Sequence, residues 1–466
     1  MFRVASVVAL FAALGWTGAA YAGARLTKGP YVTGVFPTGA DVRFELDQAL
    51  PATVTLTRDA DPASPLRAFE SRDLQGMHAV SVTGLEVATR YAYSVRSDGV
   101  RLGEGHFSTA PQDGSSAPVT FLVYGDDRTD STAHAAIARA MLQVPSAFLV
   151  NTGDMVEDGG DADAWQTFFD VEAPLLRDRP LFAAIGNHEL VNDAAGVSFA
   201  RYFGFPDVAG QTKLYGTLRF GFVRLFFLNA MHGFDSGEER EWLARELASS
   251  DTEPGIVWRI AVTHHGPWSS GPHGPNRKLL DAHIPELLAA HHIDLVLSGH
   301  DHIYERGSSG NLKYLVSGGG GAPLYPIGQV EATSLKAEST YHFIEITMTS
   351  SKVNVVARRV DGTVLDRCGF GKDRPWDCDP PRPILSASAG VAPPPSASQR
   401  ARCSCESGSR GLNRPALVIT ALLVGFAALR RRRARRGPSD GARAGEAFTM
   451  AEAAQRFSAP QRGATL

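Results

Sequence analysis

Five short segments of this chain end β-like apolar runs with side chains that bind metal ions, and this feature limits the possible folds most. Residues 120–124 run into Gly125-Asp126-Asp127-Arg128, residues 147–150 precede Gly153-Asp154, and residues 181–185 lead to Gly186-Asn187-His188-Glu189. Residues 258–262 lead to Thr263-His264-His265-Gly266-Pro267, and residues 295–297 to Gly299-His300-Asp301-His302. Open α/β sheets place their sites at the carboxyl ends of buried strands, which is where these residues fall. Carboxylate, imidazole and amide oxygen together suit Zn, Fe or Mn. Two Asp, one Asn and three or four His are enough for two metal ions. The chain has 4 Cys, none of them in these segments, so thiolate ligation there is excluded.

A length of 466 residues predicts two folded domains with extensions. The formal net charge of -3 carries no basic stripe, so no nucleic-acid-binding surface is expected. Residues 1–22 read as a signal peptide: Arg3, an apolar run over 4–14, then small residues ending at Ala22. Export follows as an expectation, and with it a disulfide between Cys368 and Cys378. Residues 23–112 read as an all-β domain, with alternation in 41–46 and 52–57. Residues 117–370 alternate apolar strands with helical spacing over 132–143, 238–249 and 277–292, and a hairpin is expected within 213–230. That pattern predicts an α/β sandwich with mixed β-sheets. Ser317 and the four glycines after it lack the Lys of a phosphate loop and read as a tight backbone passage near the site. Residues 371–411 are a Pro/Ser-rich linker. The apolar run 415–429 is followed by arginines from 430 to 436, which predicts a single transmembrane segment with its basic end inside, and residues 430–466 read as a disordered tail. Fifteen residues rise only ~22 Å, and snorkelling arginines close the gap to a ~30 Å hydrocarbon core.

Two resemblances sharpen this reading. Leu85 to Tyr93 resembles the Leu-x-x-x-Thr-x-Tyr corner of fibronectin type III sandwiches, with Tyr91 as the corner residue. The segment Gly299-His300-Asp301-His302-Ile303-Tyr304-Glu305-Arg306, taken with the other motifs in their order, resembles the calcineurin-like metallophosphoesterases and, within them, the purple acid phosphatases. The resemblance implies that Asp126 and His302 hold the first metal, Asp154 bridges both, and Asn187, His264 and His300 complete the second. Alignment on Gly266-Pro267 instead favours His265 as the ligand; with His264 in that role, His265 lies beside the substrate. His188 resembles the phosphate-facing histidine, with Glu189 able to orient its ring, and His273 lies where it can reach a leaving group.

Two positions depart from the family pattern. The Tyr that purple acid phosphatases carry three residues after the bridging Asp is Glu157 here, and the His that other metallophosphoesterases carry two residues after the first Asp is Arg128. Glu157 or water then supplies the missing ligand. Arg128 either binds phosphate through its planar fork or forms a rim salt bridge with Asp127 or Asp130. The C-terminal Cys-x-Cys, apolar run and arginine cluster resemble MYXO-CTERM sorting tails. Together these features predict an exported, membrane-anchored enzyme that hydrolyses phosphate monoesters by attack of a metal-bound hydroxide. The rivals are a phosphodiesterase on the same site and a surface binding protein with a vestigial phosphatase domain. The sequence leaves the oligomeric state open.

Overall fold

Parallel strands covered on both faces read as near-continuous apolar runs, and the strands Val119–Tyr124, Phe148–Asn151, Trp258–Thr263 and Leu295–Ser298 do so, broken only by Thr120, Asn151, Arg259, Thr263 and Ser298. The computed structural model describes residues 23–379 apart from 72–75, 207–211, 232–233 and 235–236. The expected signal peptide, the linker beyond 379, the apolar segment 415–429 and the tail lie outside these residues. Among the described residues, no helix is long and apolar enough to cross a membrane.

Two mixed seven-stranded sheets form the centre. In the first, Val119–Tyr124 lies between Phe148–Asn151, parallel to it, and His342–Met348, antiparallel to it. In the second, Val223–Leu228, Trp258–Thr263, Leu295–Ser298 and Leu312–Ser317 run parallel in that order. Side chains alternate between two destinations. Phe121, Val123, Phe148, Val150, Ile260, Val262, Leu295 and Leu297 share one apolar core. Leu122, Tyr124 and Leu149 turn outward to a cluster with Ile137 and Met141 of helix Ser131–Leu142 and with Trp165, Phe168 and Phe169 of helix Ala162–Leu176. On the far side, Phe226, Ala261 and Val296 meet Leu243 and Leu247 of helix Glu238–Asp251. Burying each large side chain contributes about 1.5–3 kcal/mol. The layers therefore hold the strand ends rigidly, and the site is built there.

The helix predicted over 277–292 is two helices, Arg277–Asp281 and Ile284–Ala290. His283 between them has φ 54°. Pro285 has no N–H to donate to Asp281 and its ring crowds that carbonyl, so the first helix cannot run through it and a new helix starts with Pro285 in its first turn. The hairpin forms as expected, from Gly216–Phe220 and Val223–Leu228.

Residues 26–108 form two antiparallel sheets, of three and four strands. The buried Tyr91 hydroxyl accepts the Glu86 N–H at 2.9 Å, tying the turn to the strand that follows. Tyr31 donates to the Tyr202 carbonyl at 3.0 Å and Tyr93 to the Arg177 carbonyl at 2.8 Å, so this region is bolted to the helices beside the first sheet. Its core residues, among them Val32, Phe44 and Phe107, belong to the same apolar cluster as the space between the central sheets. A disulfide joins Cys368 to Cys378, closing the last strand onto its neighbour.

Candidate metal centre

The loops that leave the five strands interlock through backbone hydrogen bonds. Asp126 N–H donates to Gly153 O at 2.9 Å, Gly299 N–H to His264 O at 3.0 Å, and Ala322 N–H to Asp126 O at 2.7 Å. The glycine run passes directly against the site, with Gly320 N–H on Gly125 O at 2.9 Å. Asp126, Asp154 and His300 have φ of 56°, 58° and 71°. Such left-handed conformations cost about 1–3 kcal/mol each outside glycine and persist only where the surroundings impose them. Close packing leaves the preceding residue no choice: a Cβ on Gly299 would stand 2.3 Å from Asp126 Oδ2.

The side chains predicted as ligands converge. His300 N–H donates to Asp126 Oδ2 at 2.9 Å, and His302 Nε2 lies 3.5 Å from Asp126 Oδ1. His188 N–H donates to Asp154 Oδ1 at 3.0 Å, and His264 Nε2 is 3.3 Å from that same oxygen. Asn187 Oδ1 lies 3.2 Å from His264 Nε2 and 3.1 Å from His265 Nε2. The ligand atoms of Asp126, Asp154 and His264 lie within 4.8 Å of one another, as do those of His264, His265 and His300. Both histidines of the pair thus reach the second set, and His264 also reaches the bridging carboxylate.

Three rings are held in one tautomer. A carbonyl oxygen can only accept, so Nδ1 of His264 donates to Thr152 O at 2.9 Å, Nδ1 of His302 to Pro323 O at 2.6 Å, and Nδ1 of His188 to Glu157 O at 2.7 Å. Nε2 is then the ring atom left to face the site, as a ligating imidazole requires; the His302 Nε2 accepts Arg128 Nη2 at 3.4 Å there and the His264 Nε2 faces Asp154 Oδ1 at 3.3 Å. Against burial, the Asp154 and Asp126 carboxylates raise His264 to about 9, so a cation bound there would take the place of its Nε2 proton. Burial, with that His264 charge behind it, pushes His265 down to about 3 and lowers His300 further; burial also brings His302 to about 4. These imidazoles, with two carboxylates and an amide oxygen, have the chemistry to hold two divalent cations once their Nε2 atoms are deprotonated.

Three residues behave differently from expectation. Glu189 does not orient the His188 ring. It is fully buried and accepts four backbone N–H groups: Gly186 at 2.7 Å, Asp154 at 3.0 Å, Met155 at 2.7 Å and Val156 at 3.3 Å. A carboxylate one-third of a turn past His188 points inward, and the loop amides claim it. Arg128 pairs with neither Asp127 nor Asp130. Its Nε reaches Asp154 Oδ2 at 3.3 Å and its Nη1 reaches Glu157 Oε2 at 2.7 Å. Glu157 is half exposed and is committed to Arg128 and the Thr129 hydroxyl. His273 is exposed at the mouth and stacks on His300, ring centroids 4.1 Å apart.

Sequence reading missed Tyr325, whose ring stacks on His302 at 3.9 Å and 14°. An aromatic between two prolines, just after a glycine run that borders the site, was the available signal.

Residues 130–304 match the family model described as calcineurin-like phosphoesterase. An uncharacterized protein of Mycobacterium tuberculosis is 27% identical over 264 residues, 48% of this chain and 49% of that protein. Purple acid phosphatase 15 of Arabidopsis thaliana is 28% identical over 265 residues, 49% of each. The chain thus spans about half the length of these curated relatives. The solved purple acid phosphatase PPD1 from yellow lupin shares the fold, with a TM-score of 0.63 at 18% identity over 73% of this chain and 74% of that one. The chain therefore carries a calcineurin-like metallophosphoesterase region whose homologues include purple acid phosphatases.

Proposed function

We propose that this chain is an exported dinuclear-metal phosphoesterase that hydrolyses phosphate monoesters. The observation that carries the reading is the convergence of Asp126, Asp154, Asn187, His264, His300 and His302 from both sheets onto one spot, with Nε2 of His264 and His302 turned toward it. Asp126 and His302 would hold one cation, Asn187, His264 and His300 the other, and Asp154 both. Two such cations supply Lewis-acid polarisation of phosphoryl oxygens and lower the pKa of a water nucleophile. Arg128, anchored by Asp154 and Glu157, directs Nη2 toward His302 and so lends a fixed positive charge beside the phosphoryl group. His188, fixed through Nδ1, contacts the phosphate with Nε2, and the exposed His273 delivers a proton to the leaving oxygen.

Export is supported by the leader-like residues 1–22 and by the Cys368–Cys378 disulfide, which suits an oxidising compartment. The N-terminal sheets are read as fibronectin type III-like on the Tyr91 corner. Residues 415–429 are read as a membrane tether, so deleting residues 412–466 is expected to release active enzyme into the soluble fraction. A full-length chain that is soluble while retaining residues 430–466 refutes the tether.

The test of the reaction is metal analysis of the purified full chain, with hydrolysis of an aryl phosphate monoester compared with its diester. Two metals and a monoesterase preference are expected, with turnover abolished and metal content lowered in Asp154→Asn. A diester preference moves the reading to a phosphodiesterase, and a metal-replete chain inert on both supports a binding protein.

A further inference from the structure

A second buried cluster of metal-binding side chains lies behind the centre just described and shares no ligand with it. Asp127, His134 and Glu172 come from the loop after Val119–Tyr124, from helix Ser131–Leu142 and from helix Ala162–Leu176, and their ligand atoms lie within 4.8 Å of one another. All three are buried. His134 Nε2 stands 2.6 Å from Glu172 Oε1 and 3.3 Å from Asp127 Oδ2. Asn151 fixes the other Asp127 oxygen at 2.8 Å.

The cluster is not satisfied by its own members. Among the described residues, Glu172 Oε2 accepts no hydrogen bond of good geometry and Asp127 Oδ2 has only the long His134 contact, while the buried Tyr124 hydroxyl lies beside Glu172 and Asn151. Two carboxylate oxygens so poorly paired around one imidazole are unusual, because each unpaired buried polar group costs about 1–3 kcal/mol. The charge does not close either. Two carboxylates against one imidazolium leave a net negative charge where water is excluded, a costly arrangement. A divalent cation held by the neutral imidazole and both carboxylates removes that charge. It also gives the orphaned oxygens a partner, with the Tyr124 hydroxyl available as a further donor.

We propose that Asp127, His134 and Glu172 form a third divalent-cation site. One nitrogen and two carboxylate donors suit Zn²⁺ among the first-row metals. Ligand bonds of about 2.0–2.2 Å place neighbouring donors somewhat more than 3 Å apart. The His134–Asp127 distance already meets this, and His134 and Glu172 must part slightly as the Nε2 proton leaves. A cavity of about 190 Å³ borders Asp127 and His134 and is rimmed by the exposed Thr129, Ser131 and Glu157, giving an ion a route inward. The site lies one residue from Asp126, so a bound ion would brace the loop that carries the first ligand.

The test is zinc loading of the full chain, followed by dialysis and metal analysis of the wild type, His134→Gln and Glu172→Gln. Each variant is expected to hold one equivalent less than the wild type. An unchanged stoichiometry in a folded variant overturns the proposal. Anomalous diffraction at the zinc edge on zinc-loaded wild-type crystals does not depend on how the variants fold. A peak among His134, Asp127 and Glu172 is expected, and its absence in crystals that show zinc elsewhere also overturns the proposal.

Discussion

Glu189 offers the sharpest test of how the ligand loops are held. Its two oxygens accept N–H groups from both sides of the centre: Gly186, just before Asn187, and Asp154, Met155 and Val156 in the bridging loop. In Glu189→Gln one oxygen becomes an NH₂ donor. Whichever way the amide turns, two backbone N–H groups lose their acceptor and face a donor. Each buried orphan costs about 1–3 kcal/mol, so the loss is about 2–6 kcal/mol. The carboxamide has the same shape and leaves no cavity, so the cost is that of the hydrogen bonds alone.

The assay is urea unfolding of the purified variant beside amide hydrogen exchange at Asp154 and Met155. A lower midpoint at unchanged slope and faster exchange at those amides are expected. Metal affinity should fall about 10–100-fold, as it does when the partners that orient ligands are removed. A stability loss under about 0.5 kcal/mol with unchanged exchange would show that the four contacts do not hold the loops.

Other expectations follow from single side chains. His300→Ala should lose turnover and a metal equivalent while its circular dichroism stays native; full activity with two metals refutes the assignment. Iron-loaded protein should show no strong visible charge-transfer band, because Glu157 occupies the tyrosine position and is turned to Arg128. A violet colour refutes this, and its loss in Tyr325→Phe would identify the phenolate. Burial holds His342 down to about 4, opposed by its hydrogen bond to Thr340 and the Glu338 charge, so the unfolded chain takes up the proton first as pH falls from about 6.5 toward 4. Stability is therefore complete above about pH 6.5 and should drop by about 2 kcal/mol between pH 7 and pH 5. His342→Asn should flatten that part of the profile, and an unchanged slope in the variant refutes the assignment.

The ligand loops were legible because each couples two independent signals, a run of apolar residues that suits a strand buried on both faces and a glycine beside the metal-binding residues; Gly153, Gly186 and Gly299 pack against His264, Asp154 and Asp126. A Cβ on Gly186 would meet Asp154 Oδ1 at 2.2 Å, which shows how tightly the loops interlock. Roles set by side-chain direction were not legible. Nothing in the run Asn187-His188-Glu189 tells that His188 turns to the mouth while Glu189 turns inward to collect four amides. Pro285 marks the break at His283, while the apolar spacing on either side of it reads as one helix. Helix Ala162–Leu176 was not singled out, although its N-cap Asp161 and its buried Trp165, Phe168 and Phe169 follow helical logic. The pairing of Arg128 with Glu157 needed three dimensions, because 29 positions separate them.

That pairing changes how the family's missing tyrosine is understood. A phenolate at position 157 would bring a ligand and a negative charge to the first cation. Glu157 brings the charge but spends it on Arg128, 2.7 Å away, and the same guanidinium contacts the bridging Asp154 at 3.3 Å. Arg128 is half-buried while Glu157 is half-exposed, so the glutamate draws the guanidinium toward the rim rather than entering the ligand set. A cation at Asp154 and the Arg128 charge compete for one carboxylate oxygen, and Glu157 shifts that competition toward the cation by giving the arginine another partner. On the proposed reading, Glu157 at the tyrosine position exchanges a metal ligand for a positioned phosphate-binding charge. On this logic Glu157→Gln should raise KM for a phosphate monoester and weaken metal binding together, because the freed arginine falls back on Asp154. If Glu157→Gln lowers metal content without touching KM, Glu157 is a ligand after all.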